Sequence, residues 1–172
     1  DTKGNAIDLK DIPHIGFRGN ERSASGRGYI WSRTIPLLKE NIVLGKGPDT
    51  FPIYFPQDDY IGKLIGFGRI NVLVDKPHNL YLLVAINTGL LSAFAVVVIL
   101  VIYMIQAINI LFLRKVQDFP TYKVFGIGIF FSIVAYFITS FTNDSTVFVS
   151  PVFWVLLGLG FNINIRLDKL KE

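Results

Sequence analysis

The sequence predicts an all-α integral membrane protein, in which a mostly helical polar segment is followed by three membrane-crossing helices. Hydrophobic residues make up 51% of the 172 residues, and the mean hydropathy of +0.47 is too high for an ordinary soluble domain of this size. Buried helices of a large soluble protein are usually shorter than the apolar runs found here, and they carry occasional charges. We therefore assign residues 1–79 to a polar region and residues 80–172 to a transmembrane region.

Three apolar runs account for the predicted spans. The first lies near residues 90–113, because no Asp, Glu, Lys or Arg occurs from Pro77 to Leu113. At about 1.5 Å per residue, a helix of this length crosses about 30 Å of hydrocarbon. The second span is predicted near residues 124–142 and the third near residues 147–165. None of the three carries an Asp, Glu, Lys or Arg, so an ion or proton path through the bilayer gains no support.

The basic residues beside the spans predict their orientation. They lie in the loop after the first span and in the tail after the third, as Arg114, Lys115, Lys123, Arg166, Lys169 and Lys171. The loop at 142–150 carries only Asp144. Positive charge marks the cytoplasmic side, so we expect residues 1–79 to be extracytoplasmic and the C-terminus to be cytoplasmic.

Charge and cysteine usage exclude several classes of function. The net charge is +4, but residues 1–79 hold eleven Lys and Arg against nine Asp and Glu. No basic run alternates with aromatic residues there, so a nucleic-acid partner is not expected. The chain has no cysteine, which excludes disulfides, thiolate zinc sites and a cysteine nucleophile.

The polar region divides into two parts. Residues 1–24 have little periodicity and are expected to be poorly structured. Residues 25–45 are predicted to be helical, with a break near Pro36, which lacks a backbone donor, and with Gly45 as the C-terminal stop. Two glycines and three prolines then interrupt the stretch at 45–56, which is most simply a series of turns.

Arg27 and Trp31 are the first candidate site residues. They are four residues apart, so a helix places them on one face, where the indole could hold the guanidinium toward a cavity. An exposed arginine on an amphipathic helix at the membrane surface is an equally good interpretation of this spacing.

His78 is the second candidate, because Pro77 suits a first helical position and would place His78 in the first turn of the helix leading into span one. The helix dipole would favour the neutral imidazole there, whereas Asp75 would favour the charged form. A capping or interfacial histidine without chemistry remains the alternative. Asp144 is interpreted as part of an ordinary turn.

Four sequence pieces, taken in order, resemble the O-antigen ligase and polymerase family. They are SGRGYIW at 25–31, GKGPDTF at 45–51, KPHNLYL with the following NTGL at 76–90, and VFWVLLGL at 152–159. The resemblance implies the last three transmembrane helices of a polytopic protein with a C-type-glycosyltransferase-like fold, preceded by its outward loop. Members of the family have around ten or more spans, so we expect further spans upstream.

The resemblance also implies an activity. Such an enzyme transfers a glycan from an undecaprenyl-diphosphate carrier to a lipid, polysaccharide or protein acceptor on the outer face of the bacterial cytoplasmic membrane, without a metal or another cofactor. The matching positions assign catalytic roles to His78 and Arg27, and substrate binding to Arg27, Trp31 and Asn79. Arg18, Arg33 and Arg69 are further candidates for contact with the diphosphate. The alternative hypothesis is a non-catalytic scaffold or transporter component of the cell envelope.

Overall fold

The computed structural model describes residues 12–17, 19–114 and 120–169, and the described residues form helices and connecting loops without a strand. Within residues 1–24, which were expected to be poorly structured, residues 1–11 and 18 lie outside the described residues. The elements in chain order are α1 (Ser23–Leu37), a 3₁₀ turn (Leu38–Glu40), α2 (Phe51–Tyr54), α3 (Tyr60–Phe67), α4 (Leu80–Thr88), α5 (Leu90–Ala107), a π-helical turn (Ile108–Leu113), α6 (Pro120–Thr139) and α7 (Val149–Lys169).

Three of these helices are long and apolar enough to cross a membrane. They comprise Leu90–Leu113 with 24 residues, Thr121–Thr139 with 19 and Val149–Lys169 with 21. At about 1.5 Å per residue, even the shortest approaches the thickness of the hydrocarbon core. The predicted fold class, all-helical with three span-capable helices near the C-terminus, is confirmed.

Close approach of backbones and aromatic contacts join the long helices. A Cβ atom on Gly160 of α7 would lie 2.6 Å from the Tyr103 ring of α5, so only glycine fits there. Tyr136 of α6 stacks on Phe153 of α7 with ring centroids 4.1 Å apart. Small residues and ring contacts suit association in lipid, where burial of apolar surface does not favour one helix partner over lipid.

The polar region has its own core, centred on Tyr29 of α1. Its ring is fully buried and meets Phe55 and Phe67 edge-on, at 5.9 and 5.4 Å. Gly66 of α3 lets this ring approach, since a Cβ there would lie 2.7 Å from Cβ of Tyr29. Arg33 of α1 donates to Asp59 at 2.9 Å, which joins the start of α3 to α1. The segment before the spans is therefore a packed unit.

The irregular part of α1 lies at its beginning rather than at Pro36. Ala24, Ser25 and Gly26 have left-handed backbone angles, whereas the helix continues through Pro36 to Leu37. Pro36 cannot donate to the Ser32 carbonyl, and the Ile15 amide donates to that carbonyl instead, at 2.9 Å. The helical stretch ends before Asn41, earlier than the predicted residue 45.

Gly89 divides the first apolar run into α4 and α5. Its φ of 106° and ψ of 156° lie outside the helical range, and φ in this region favours glycine. Gly89 is thus a one-residue corner between α4 and α5.

Candidate functional site

The candidate site is built around His78, at the end of the bundle where α6 ends and α4 begins. Nδ1 of His78 lies 2.9 Å from Oδ2 of Asp144, in the loop between α6 and α7. The Asp144 side chain is only 9% exposed, whereas that of His78 is 44% exposed. A carboxylate accepts hydrogen bonds and cannot donate them, so the proton of this contact belongs to Nδ1. The neutral ring then has its lone pair on Nε2.

The expected position of His78 in the first helical turn is wrong. The helix begins at Leu80, because Asn79 is its N-cap: the Asn79 side-chain oxygen accepts from the amide of Leu82 at 3.0 Å. His78 precedes the cap with a φ of 49°. A histidine tolerates this left-handed conformation better than a β-branched residue does, but at some energetic cost.

Asn79 also holds the loop between α6 and α7, which carries Asp144. Its backbone amide donates to Oδ1 of Asp144 at 3.2 Å, and its side-chain amide donates to the carbonyl of Phe141 at 2.9 Å. Asp144 therefore accepts from two neighbouring residues, and Asn79 is 8% exposed. This network makes Asn79 a structural cap at the site as well as a lining residue.

Trp31 connects α1 to the His78 segment. Its indole Nε1 donates to the carbonyl of Pro77 at 2.8 Å, and its ring meets Phe17 edge-on at 6.0 Å. Trp31 and Asn79 line one cleft of about 460 Å³, together with Tyr81, Phe137 and other apolar side chains. The structure thus brings two of the predicted substrate-binding residues, Trp31 and Asn79, to one cavity. Asn79 directly follows His78 in the chain.

Tyr81 closes part of this cleft as a neutral donor. Its hydroxyl donates to the carbonyl of Phe137 at 3.0 Å, which ties α4 to α6. Burial raises the pKa of Tyr81 to about 12. Tyr81 is consequently a neutral donor to α6 and is not suited to remove protons near neutral pH.

Arg27 lies one helical turn before Trp31, but the two side chains do not stack. The cation–π contacts among the described residues pair Arg33 with Tyr29 and Lys46 with Tyr54. The Arg27 guanidinium donates to the carbonyl of Ala24 at 3.0 Å, and its Nε is buried with no hydrogen-bond partner in the described part of the chain. The cleft is lined by Trp31 and not by Arg27. The guanidinium thus keeps unused donors.

The other arginines differ in availability. Arg33 is engaged with Asp59 and Ser32 in the core of the polar region. Arg69 is exposed directly after α3, and Arg18 lies outside the described residues.

Within residues 12–17, 19–114 and 120–169, no group of three or more His, Asp or Glu side chains is arranged to hold a metal ion.

Asp144 is the site residue that sequence reasoning missed. Its TNDST context is typical of a turn, and a loop far along the chain gives no local sign of a histidine partner. One signal was present in the sequence. Asp144 is the only ionisable residue in the loop at 142–150, and this loop is predicted to lie on the same side of the membrane as His78.

Comparison with known proteins assigns the family. A family model of O-antigen ligase matches residues 3–97, which include Arg27, Trp31, His78 and Asn79. No curated protein and no solved structure matches the chain. Since the family match covers more than half of the 172 residues and three helices can span a membrane, this bacterial membrane protein belongs to the O-antigen ligase family.

Proposed function

We propose that this protein transfers a glycan from an undecaprenyl-diphosphate carrier to an acceptor hydroxyl, without a metal, in cell-surface polysaccharide ligation or polymerisation. The reaction takes place on the outer face of the cytoplasmic membrane; the positive charge of the loops after the first and third spans supports an outward position for residues 1–79 and Asp144. The observation that carries the proposal is the contact of His78 Nδ1 with the Asp144 carboxylate at 2.9 Å, which leaves Nε2 of a half-exposed imidazole available.

His78 is the general base of the proposed reaction. Its Nε2 takes the proton of the acceptor hydroxyl while that oxygen attacks the anomeric carbon of the donor glycan. The imidazole becomes a cation with both ring nitrogens protonated, and the carboxylate of Asp144, 2.9 Å from Nδ1, stabilises this cation. Asp144 acts through His78 and is a positioning residue.

Arg27 stabilises the leaving group. As the new bond to the anomeric carbon forms, the bond between that carbon and the diphosphate oxygen breaks, and the carrier leaves with the electron pair. A guanidinium offers several donors in one plane and can bind two phosphate oxygens at once, which offsets the growing negative charge. Arg27 is half-buried, and the one hydrogen bond of its guanidinium among the described residues is to the carbonyl of Ala24.

The cleft beside His78 supports a lipid-linked substrate. Its lining is mostly apolar and aromatic, with Trp31 and Asn79 supplying polar edges. Aromatic faces suit both sugar rings and the isoprenoid units next to a carrier diphosphate, and Asn79 and Trp31 are the substrate-binding residues of the proposal.

The test is surface-polymer analysis in the host lacking this gene, complemented with full-length wild type, His78→Ala or Arg27→Ala at equal membrane abundance. His14→Ala and Arg166→Ala are controls outside the site, since Arg166 is exposed near the other end of α7. We expect the two site variants to fail while lipid-linked precursor accumulates, and the controls to restore polymer. Normal polymer with both site variants would overturn the proposal and favour a non-catalytic scaffold or transporter component.

A further inference from the structure

The loop after α1 caps the first membrane-crossing helix. The amides in the first turn of a helix have no partner within the helix. In α5, the amide of Leu90 donates to the carbonyl of Asn41 at 2.9 Å, and that of Leu91 donates to the carbonyl of Ile42 at 3.2 Å. Backbone groups of a distant loop therefore take the place of an N-cap side chain.

Two glycines hold this loop against the corner between α4 and α5. A Cβ atom on Gly89 would lie 2.4 Å from the carbonyl oxygen of Val43. A Cβ atom on Gly45 would lie 2.2 Å from the backbone of Asn87. The amides of Lys46 and Gly47 also donate to carbonyls of α4, at 2.8 and 3.0 Å. The position of the loop is thus determined by backbone packing.

Because the loop backbone faces the corner, its side chains face outward. The exposed fractions of Ile42, Val43 and Leu44 are 53%, 64% and 79%. We call these three residues the apolar tip. Exposed Leu91 and Phe94 continue the apolar surface along α5, at 56% and 67%. The apolar tip is thereby continuous with the exposed side of a helix that is long enough to cross a membrane.

Charged residues stand on both sides of the apolar tip. Glu40 precedes it and Lys46 follows it, and their side chains pair at 3.4 Å. Lys46 also lies over the ring of Tyr54, 4.9 Å from its centroid. An apolar stretch bounded by a charged pair and a tyrosine matches the distribution of residues at a membrane interface, where charges and aromatic rings lie at the headgroups.

We infer that Ile42–Leu44 insert into lipid beside α5, in the leaflet at the His78 end of the bundle, with Glu40 and Lys46 at the headgroups. This insertion does not depend on the proposed transfer reaction. Its consequence is positional, because the same loop joins α1, which carries Arg27 and Trp31, to the first span. The apolar tip therefore sets the height of α1 above the membrane.

The test uses the full-length protein in lipid nanodiscs, in a cysteine-free background, with Leu44→Cys or Val43→Cys carrying a bimane fluorophore. Asp58→Cys, at an exposed position, is the control. We expect lipids brominated on the acyl chain to reduce emission at positions 43 and 44, and aqueous iodide to reduce it only at position 58.

Two results would overturn the inference. Quenching at 43 and 44 by iodide but not by brominated lipid would place the apolar tip in water. Protection from both quenchers would show that another part of the protein covers it. Polymer synthesis by the labelled variants, measured in parallel, separates this question from the proposed transferase activity.

Discussion

The carboxylate of Asp144 accepts from two neighbouring residues, His78 and Asn79, and so fixes the imidazole and the start of α4 together. Asp144 lies between the second and third spans, whereas His78 precedes the first. The folded bundle creates this pair from two loops that are far apart in the chain. A similar carboxylate–imidazole contact holds one tautomer in serine proteases.

Asp144→Asn is expected to reduce glycan transfer by roughly 10²–10⁴-fold without loss of the protein from the membrane. An asparagine has one acceptor oxygen, so its amide must face either Nδ1 of His78 or the Asn79 amide. When it faces Nδ1, the proton moves to Nε2 and the base is lost. Transfer to a defined acceptor, measured in membranes at equal protein abundance, checks this expectation.

Asp75→Asn is the matched control, because Asp75 is an exposed acid near His78 in sequence. We expect it to keep nearly full activity. The double variant His78→Ala with Asp144→Asn should be no slower than His78→Ala alone, since both changes remove the same function. Wild-type activity of Asp144→Asn would refute the positioning role.

Arg27→Lys is expected to lower transfer although it keeps the charge, because a lysine cannot bind two phosphate oxygens in one plane. We expect a loss of roughly 10–100-fold, equivalent to one charge-assisted hydrogen bond of about 1.5–3 kcal/mol. Arg166→Lys serves as control, because Arg166 is exposed near the other end of α7. Equal activity of the two variants in the same membrane assay would remove Arg27 from the site.

Trp31→Phe tests the connection between α1 and the His78 segment. Phenylalanine keeps an aromatic ring near Phe17 but loses the hydrogen bond to the Pro77 carbonyl, worth about 1 kcal/mol. We expect a small fall in thermal stability and a larger fractional loss of transfer, because His78 follows Pro77 directly.

Trp154→Phe is the corresponding control, since Trp154 lies on the exposed side of α7. It should leave transfer unchanged. A loss of stability in Trp31→Phe without any loss of transfer would restrict Trp31 to a structural role.

Gly89→Ala is expected to destabilise the protein by about 1–3 kcal/mol, because alanine is strained at a φ of 106°. Its Cβ would also lie 2.4 Å from the Val43 carbonyl. Gly158→Ala on α7 is the control, because nothing lies within 4 Å of the added atom and alanine favours a helix. Thermal unfolding in detergent measures both, and equal midpoints would contradict the tight corner.

The spans and the helical character of α1 were predictable because they depend on local composition. A long uncharged stretch in lipid can satisfy its backbone hydrogen bonds in only a few structures, and residues 90–113 form such a stretch. The resemblance named Arg27, Trp31, His78 and Asn79 as site residues, and of these Trp31 and Asn79 line one cleft whereas Arg27 does not; their roles stay predictions. Local signals were sufficient for the spans and for α1.

Other features depend on contacts between distant residues. Pro36 does not break α1, because Ile15 takes over the carbonyl that proline leaves unpaired. Pro77 does not start α4, because Asn79 is a better cap. Gly89 forms a corner because the loop at Val43 packs against it. Neither these partners nor Asp144 can be read from the neighbouring sequence.

Tyr81→Phe is expected to reduce the alkaline sensitivity of the protein. Burial raises the pKa of Tyr81 to about 12 from an unfolded value of about 10, so the folded state favours the neutral phenol. The stability this provides is fully present below about pH 10 and is lost as pH rises toward about 12. Phenylalanine has no proton to lose, and it also gives up the hydrogen bond to Phe137.

The two effects have different pH dependences and can be separated. At pH 8 the variant should unfold at a slightly lower temperature than wild type, because only the hydrogen bond is missing. Between pH 9 and pH 11.5 the midpoint of thermal unfolding should fall further for wild type than for the variant, since only wild type must keep a buried phenol neutral. Thermal scans of the purified protein in one detergent across this range measure the difference. Parallel curves for the two proteins would show that another group controls alkaline unfolding, and that the contact of Tyr81 with α6 does not depend on its protonation.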